Sequence, residues 1–556
     1  MIYMSKFPFK TQKTAQKVSD NRSTSVLLQA GYIRQVMAGV YTYTTLGLKV
    51  LDKIKNIVRE EMDNYGAFET LMPSLTPQEA WEKTGRWNTV DVLFHVPAAN
   101  NKEYALNPTH EEVVTPLLGE FIKSYRDLPV CVYQIQTKFR NEKRAKSGLL
   151  RGREFIMKDA YSFHADNKEF VQYYEGMKQV YLNVYNRLGL GKDTYVVQAD
   201  GGSFTDKYSH EFQVRLDIGE DVVFHDNKTG DTFNKEVAPC MIPTPNTKEE
   251  LKERQDIEAI GVIGVEALTA KFGVPANKST KTMMFDADGK FVVASVRGDY
   301  DINTIKLQKI LGCKSLKLAS ADMVKEITGS EIGYAGIYNL PASCEVYIDD
   351  SIKGLTNFET GTNKTGYHSI NVNFGRDLEE PKQFYDFKEA KEGDKNPNSG
   401  EVYEVFKASE VGNIFPLETK FSKAFDVSFL DENNTSKTPL MGCYGIGVSR
   451  LMGVIAEYFL DEIGIAWPEQ LAPFSNYMVI IGDENINKAI EISGKLGINP
   501  NDLIIDDRNN VGFGQKMMDA ELIGIPNIII ISPKTLEKGG YEIKKRGSRE
   551  SELIKL

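Results

Sequence analysis

The stretch Val130-Cys131-Val132-Tyr133-Gln134-Ile135-Gln136-Thr137-Lys138-Phe139 runs into Arg140-Asn141-Glu142. After a basic, glycine-punctuated connection the chain continues Arg153-Glu154-Phe155-Ile156-Met157-Lys158-Asp159-Ala160-Tyr161-Ser162-Phe163. Both flanks are rich in β-branched and aromatic residues, so both are predicted strands. Paired antiparallel, they bring Arg140, Glu142 and Phe155 to one sheet face. A guanidinium forks onto a phosphate, a carboxylate accepts hydrogen bonds and a ring carries a base, which together describe a nucleotide site without a phosphate loop. The same three residues also describe a surface ion pair beside a core aromatic.

A second stretch far downstream weighs between the two. Gly442-Cys443-Tyr444-Gly445-Ile446-Gly447-Val448-Ser449-Arg450 leads into the apolar Leu451-Met452-Gly453-Val454-Ile455-Ala456. With the first stretch it resembles motifs 2 and 3 of the class II aminoacyl-tRNA synthetases, and Asn107-Pro108-Thr109-His110-Glu111-Glu112 narrows the resemblance to the bacterial-type prolyl-tRNA synthetases. The pair Gly445 and Gly447 carries little alone, because a dinucleotide fold needs its own βαβ unit and a further glycine, and here Arg450 follows.

Composition sets the bounds. The chain has 556 residues, enough for about three domains, with 41% hydrophobic and 26% charged residues, as in a globular protein. Its five cysteines show no paired spacing, so neither a disulfide framework nor a structural zinc is predicted. No apolar run approaches a membrane span, and the start, with Lys6, Lys10, Lys13 and Lys17, lacks an apolar core and reads as the lead-in to a helix. A cytoplasmic location is expected. The net charge of −10 argues against non-specific coating of nucleic acid. Neither membrane nor DNA is an expected partner, whereas a specific tRNA needs only local basic surface, such as Lys143-Arg144-Ala145-Lys146 or Lys544-Lys545-Arg546.

From Ser23 to Glu61 the pattern is helical, with Leu27, Leu28, Ile33, Val36 and Met37, then a clear period at Val50, Leu51, Ile54, Ile57 and Val58. A strand follows over Ala67 to Pro73. Thr109 and Glu111, at alternate positions of a predicted strand end, fall on one side; equally, acids there suit a helix N-terminus. A helix is predicted over Lys168 to Leu188 and strands over Thr194 to Asp200 and Ser209 to Val214. Thr282 to Ala294 is a hairpin with an Asp288-Gly289 turn, and Asp301 is the predicted cap of a helix ended by Gly312. Lys388 to Gly400, crowded with Lys, Asp, Asn, Pro and Gly, reads as a return linker. The tail alternates strand and helix, which predicts a compact α/β domain with a mixed or parallel sheet.

The expected fold is therefore α/β (α+β): an antiparallel-sheet class II core over 1–223 and 401–470, an insert over 224–400, and an α/β tail over 471–556. The resemblance implies an editing (deacylase) role for the insert and anticodon binding for the tail. It further implies ATP-dependent activation of proline to prolyl-adenylate and transfer to tRNA(Pro), with Mg2+ as cofactor on ligands the sequence does not assign, and a homodimer built on the helix and strand that resemble motif 1. By the same resemblance Arg140 clamps the α-phosphate and the proline carboxylate, Glu142 orients the nucleotide, Phe155 stacks on adenine, and Arg450 covers its other face and reaches the γ-phosphate. Gly445 and Gly447 let the backbone approach the ligand. Thr109 and Glu111 hold the imino group, with Cys443 and His210 bordering the ring pocket.

For the insert the matching positions are Lys281, Asp299, Gly333, Gly336 and His368. Editing answers a physical need, since a proline pocket rejects the smaller alanine by only about 1–3 kcal/mol. Two positions depart from the family pattern: Ile337, where proline is usual, predicts a looser loop unless tertiary contacts hold it, and Glu418 stands where glycine is more common. The alternatives are a synthetase for another amino acid (threonine, serine or glycine), a synthetase-like tRNA-binding protein without the reaction, or a free-standing editing protein. The presence of both Arg140 and Arg450 weighs against the second, and the large core and tail against the third.

Overall fold

The computed structural model describes residues 1–12, 14, 21–99, 102–242, 249–482 and 485–556. The chain divides into two compact units, one of residues 1–196, 201–220 and 408–556, the other of residues 197–200 and 221–407.

The first unit is organised on the sheet that the opening stretch predicts. Val130–Phe139 pairs antiparallel with Glu154–His164 in unbroken register, from Val130 opposite Phe163 to Phe139 opposite Glu154. Glu154–His164 then pairs with Leu440–Ile446, which pairs with Glu404–Glu418, whose core end pairs with Tyr208–Arg215, all antiparallel. Phe68–Glu69 closes the other edge in parallel.

Side chains alternate across this sheet. Tyr133, Ala160, Ile414, Tyr444 and Ile446 are buried on one face against two long helices, Thr45–Asn64 and Asn167–Arg187. In the first helix Val50, Leu51, Ile54, Ile57 and Val58 are all buried, as the predicted period requires, each worth about 1.5–3 kcal/mol on full burial. Phe155, Met157, Asp159, Asn413, Phe415, Cys443 and Gly445 fall on the opposite face, where a cleft opens.

Several expectations fail for local reasons. Ile33, Val36 and Met37 are not helical: the helix Arg22–Gln29 stops and a hairpin, Ile33–Met37 with Val40–Tyr43, intervenes before the next helix. Gly31 and Gly39, at φ of 87° and 77°, supply the turns that helical periodicity overlooks. The strand after the long helix shrinks to Phe68–Glu69. At the start of the chain Ile2–Tyr3 is a strand, not a helix lead-in, and Lys13 and Lys17 lie outside the described residues.

The tail forms a mixed sheet in the order Ile2–Tyr3, Leu503–Asp506, Asn476–Ile480, Asn527–Ile531, Gly540–Lys545, Glu552–Lys555. The first four are mutually parallel, Gly540–Lys545 runs antiparallel to them, and Glu552–Lys555 pairs antiparallel with it in turn. The predicted alternation of strand and helix is present in Asn476–Ile480, Ile486–Lys495, Leu503–Asp506, Phe513–Ile523 and Asn527–Ile531.

The second unit holds a four-stranded sheet around the predicted hairpin, Thr280–Ala287 with Lys290–Arg297, and a three-stranded sheet of Gln255–Glu258, Tyr367–Val372 and Phe358–Gly361. Asp288 and Gly289 both take positive φ, 51° and 88°, as a two-residue hairpin turn demands. The helix Thr304–Leu311 is capped by Asn303, whose side chain accepts from Ile305 and Lys306, and not by Asp301. Gly312 ends it in the left-handed conformation, as expected.

Candidate active site

The cleft on the first unit's sheet has about 940 Å3 of empty space including its mouth, and Arg140, Glu142, Phe155, Gly445, Gly447, Arg450, Thr109 and Cys443 line it. Arg140 lies just past the end of its strand, its backbone N–H donating to the Arg153 carbonyl at 2.8 Å, so the hairpin geometry places it beside Phe155. Arg450 enters from the first turn of Val448–Tyr458. Its Nε donates to the Leu150 carbonyl at 2.7 Å, and its Nη1 to the backbone and side-chain oxygens of Glu410, both at 2.9 Å.

Two guanidiniums thus face one cavity. Burial, and after it the charge of Arg450, pulls the Arg140 pKa down. A place where a second positive charge is resisted is a place where an anion is welcome.

Glu142 is bound by Arg151, whose Nε and Nη2 lie 3.0 and 2.8 Å from its Oε2. A Cβ on Gly445 would meet protein only at 3.8 Å, so it would project into open cleft. One on Gly447 would press on the Arg450 Cβ at 3.2 Å. Both glycines keep space for a ligand or for the arginine that faces it.

At the other end of the cleft Thr109 and Glu111 do share a side, but not on a strand. The strand Glu103–Leu106 ends first, and Glu111 is the first residue of the helix Glu111–Phe121. Thr109 Oγ1 donates to Glu111 Oε2 at 2.7 Å. Behind them lies a buried polar network. Lys138 Nζ sits 2.6 Å from Asp159 Oδ1 and 2.9 Å from His110 Nδ1, while His110 Nε2 donates to the Pro73 carbonyl at 3.0 Å. Burial first, then Lys138, holds the His110 pKa down at about 4, so the ring is neutral and its Nδ1 accepts. Cys443 lines the cleft with its thiol pKa driven up, chiefly by burial and then by Glu111.

His210 is not part of this group. It stands opposite Ile414 in the strand register, on the helix-covered face, and its Nδ1 meets Tyr174 Oη at 2.9 Å. The register places Glu211 opposite Asn413, the residue that lines the cleft from that edge. A one-residue step in a strand moves a side chain to the other face. Sequence reasoning also passed over Arg86, Arg151, Glu410 and Asn413; of these only Arg151, three residues before Glu154, stood close to a quoted motif.

In the second unit the predicted positions fall into two groups. Lys281 Nζ pairs with Asp301 at 2.6 Å, and Asp299 is held by Arg297 at 2.5 and 2.9 Å and by Lys391 at 2.8 Å. Asp299 and Asp301 line one cavity. His368 belongs to the other group: its Nδ1 lies 2.6 Å from Glu359 Oε1, Glu359 also accepts from Ser279, and Tyr334 stands edge-on at 5.7 Å. Gly336 packs against Gly361, where a Cβ would come within 2.3 Å of a carbonyl oxygen, and Gly333 has a φ of 97°. The loop that Ile337 was expected to loosen is held. Asn363 bonds Gly336 at both its N–H and its carbonyl, each at 3.0 Å, and the buried Ile337 donates its N–H to Thr360 Oγ1 at 3.4 Å.

Comparison with known proteins bears on the family of the chain. Residues 94–459 match the class II core domain of tRNA synthetases for G, H, P, S and T, and residues 477–556 match an anticodon-binding domain. The proline–tRNA ligase of Bacillus licheniformis is 38% identical over 537 residues, covering 96% of this chain and 93% of that one. That of Bacillus mycoides is 38% identical over 545 residues, covering 96% and 94%. In fold, the chain is similar to a Cryptosporidium parvum prolyl-tRNA synthetase complexed with halofuginone and AMPPNP (TM-score 0.54, 14% identity, 96% and 72% covered). A Giardia lamblia prolyl-tRNA synthetase in complex with prolyl-adenylate gives the same score at 15% identity, covering 96% of this chain and 72% of that one. With a class II core joined to an anticodon-binding domain and curated relatives matched over nearly their whole length, the chain belongs to the proline–tRNA ligase family of class II aminoacyl-tRNA synthetases.

Proposed function

We propose that this chain activates proline with ATP and transfers it to tRNA(Pro). The observation that carries the reading is the convergence of Arg140 and Arg450 on a cleft whose far end holds Thr109 and the buried Glu111. The proline carboxylate attacks the α-phosphorus, the bond to pyrophosphate breaks, and prolyl-adenylate remains. A terminal hydroxyl of tRNA then attacks the acyl carbon and AMP leaves. No covalent enzyme intermediate is needed: the chain supplies positioning and charge. Arg140 clamps carboxylate and α-phosphate, Phe155 and Arg450 sandwich adenine, and Glu111 accepts from the imino nitrogen.

Magnesium fits the phosphate end, where Asn413 Oδ1 is buried without a hydrogen-bond partner among the described residues and Glu410, one oxygen of which is bonded to Arg450, offers a second oxygen donor, and where the metal would offset phosphate charge. The acidic group Asp349, Asp350 and Asp386 in the second unit is a poorer fit, because Lys388 Nζ sits among these carboxylates, 3.0 Å from Asp386 and 3.8 Å from Asp349. Amino-acid-dependent pyrophosphate exchange, run with each standard amino acid, tests the assignment: proline gives strong exchange and alanine weak exchange. Robust exchange with threonine or serine instead would refute it.

The 221–407 unit is read as the deacylase of mischarged alanyl-tRNA(Pro), supported by Lys281 and by a His368 oriented through Glu359. Hydrolysis of pre-formed alanyl-tRNA by wild type, and its loss in Lys281→Ala with exchange intact, is the expected outcome; equal inertness of both would remove the reading. A homodimer is supported by exposed apolar side chains on the motif 1 segment, Phe68 and Leu71, at 65% and 77% exposure. Among the described residues no helix is long and apolar enough to cross a membrane.

A further inference from the structure

Arg86 lies in the turn after the helix Gln78–Lys83, in a segment no motif claims. Its side chain is nevertheless only 3% exposed and runs between the rings of Trp81, Phe204 and Phe421, at 5.3, 4.9 and 5.3 Å. Enclosing a guanidinium in aromatic rings fixes it in place while keeping its charge tolerable. It is held there for two carboxylates. A single nitrogen, Nη1, lies 3.2 Å from Glu111 Oε2 and 3.0 Å from Glu112 Oε1, and all three residues are buried.

The distribution of donors on Glu111 is uneven. Thr109 and Arg86 both bond Oε2, and Oε1, equally buried, accepts from no N–H or hydroxyl donor among the described residues, the weakly donating Cys443 thiol being the further neighbour of this carboxylate. A buried carboxylate oxygen left without a donor is costly. This one is carried beside Thr109 and Cys443, which line the cleft.

The charges are uneven too. Two acids share one guanidinium, while the nearby cations have acceptors of their own, Lys420 on the Ser203 carbonyl and Lys138 on Asp159. Burial, against the pull of Arg86, holds Glu112 up at about 7, so protonation relieves only part of the cluster's excess negative charge at neutral pH. A ligand cation at Oε1 would supply both the missing donor and the missing charge.

We infer that Arg86 is a positioning residue for the imino-acid pocket, holding Glu111 by one oxygen so that the other is presented to the cationic nitrogen of the substrate. The inference rests on the reading of proline as that substrate. Arg86 touches neither ATP nor the reacting carboxylate, so its effect falls on one substrate only.

The experiment is steady-state pyrophosphate exchange by wild type, Arg86→Lys, Arg86→Gln and the double variant Arg86→Gln/Glu112→Gln, with melting temperatures measured alongside. Wild-type exchange with proline establishes the substrate. Its absence overturns the substrate reading and this inference together. Given that exchange, Arg86→Gln raises the KM for proline by roughly tenfold or more, the loss of a charge-assisted hydrogen bond, while the KM for ATP moves less than about threefold. The double variant recovers part of the loss, because removing Glu112 relieves the uncompensated charge. Should Arg86→Gln fail to fold, Arg86→Lys decides: a selective rise in the proline KM supports the inference. An unchanged proline KM, or kcat and both KM values moving in parallel, overturns it.

Discussion

The Arg140 guanidinium carbon lies 5.2 Å from the centroid of the Phe155 ring, on the sheet face that both residues share. The arginine is thus braced by the ring proposed above to carry the nucleotide base, and on that proposal a base stacked on the ring displaces the guanidinium toward the phosphates. Arg140→Ala should lower proline-dependent exchange by about 100-fold or more. Phe155→Ala should act on nucleotide affinity, raising the KM for ATP by roughly tenfold, about the worth of one stacked ring, with the proline KM little changed. Parallel kinetics in ATP and proline would separate the two roles.

Lys158 is buried in the core sheet, with Nζ donating to Tyr181 Oη at 2.7 Å and to the Tyr444 carbonyl at 3.1 Å. Burial pulls its pKa down to about 7. Unfolded, the amine holds its proton to about pH 10.4, so between pH 7 and 10 the unfolded chain binds more protons and stability rises with pH. Relative to Lys158→Met, the wild type should gain about 2 kcal/mol from pH 7 to pH 9, read as the difference in melting temperature between the two proteins at each pH. A gap independent of pH would mean the lysine is charged in the fold.

Glu418 has a φ of 55°, in the left-handed region, at a bulge after Pro416. Its pair with Lys207, 2.6 Å away and largely exposed, offsets little. Glu418→Gly should stabilise the protein by about 0.5–1 kcal/mol and Glu418→Ala should not, a comparison thermal unfolding can make.

Ile337→Pro should not restore a faster editing loop. Proline lacks the N–H that Ile337 gives to Thr360, and the neighbouring backbone is already held by Asn363. Alanyl-tRNA hydrolysis equal to or slower than wild type is expected, with a lower melting temperature.

Phe68→Asp with Leu71→Asp should convert a dimer to monomer in light scattering at micromolar concentration, since charges on an exposed apolar segment oppose its burial against a second copy. An unchanged mass would place any contact elsewhere.

What could be read in the sequence were features that repeat or alternate. The hairpin register and the sides taken by Phe155, Cys443 and Gly445 follow from period two. The burial of Val50 through Val58 follows from period 3.6. Glu418 could be flagged only through the resemblance, whose members more often have glycine there, and the structure gives it the positive φ that favours glycine. What could not be read depends on single steps and on distance. His210 and Glu211 differ by one residue and take opposite faces. The pair Thr109 and Glu111 meets at a helix start that the strand pattern hid. Arg86 is joined to Glu111 across 25 residues by aromatic packing that no local pattern encodes.

The pairing of Ile2–Tyr3 with Leu503–Asp506 sets a timetable for synthesis. Ser5 bonds Asp507 through its backbone N–H at 2.8 Å, across 502 positions of sequence. At about 5–20 residues per second Ile2–Tyr3 waits roughly 25–100 s after its own synthesis for its partner strand. The tail sheet is therefore completed only after the whole catalytic core and the 221–407 unit have been made, because both lie between these two paired strands.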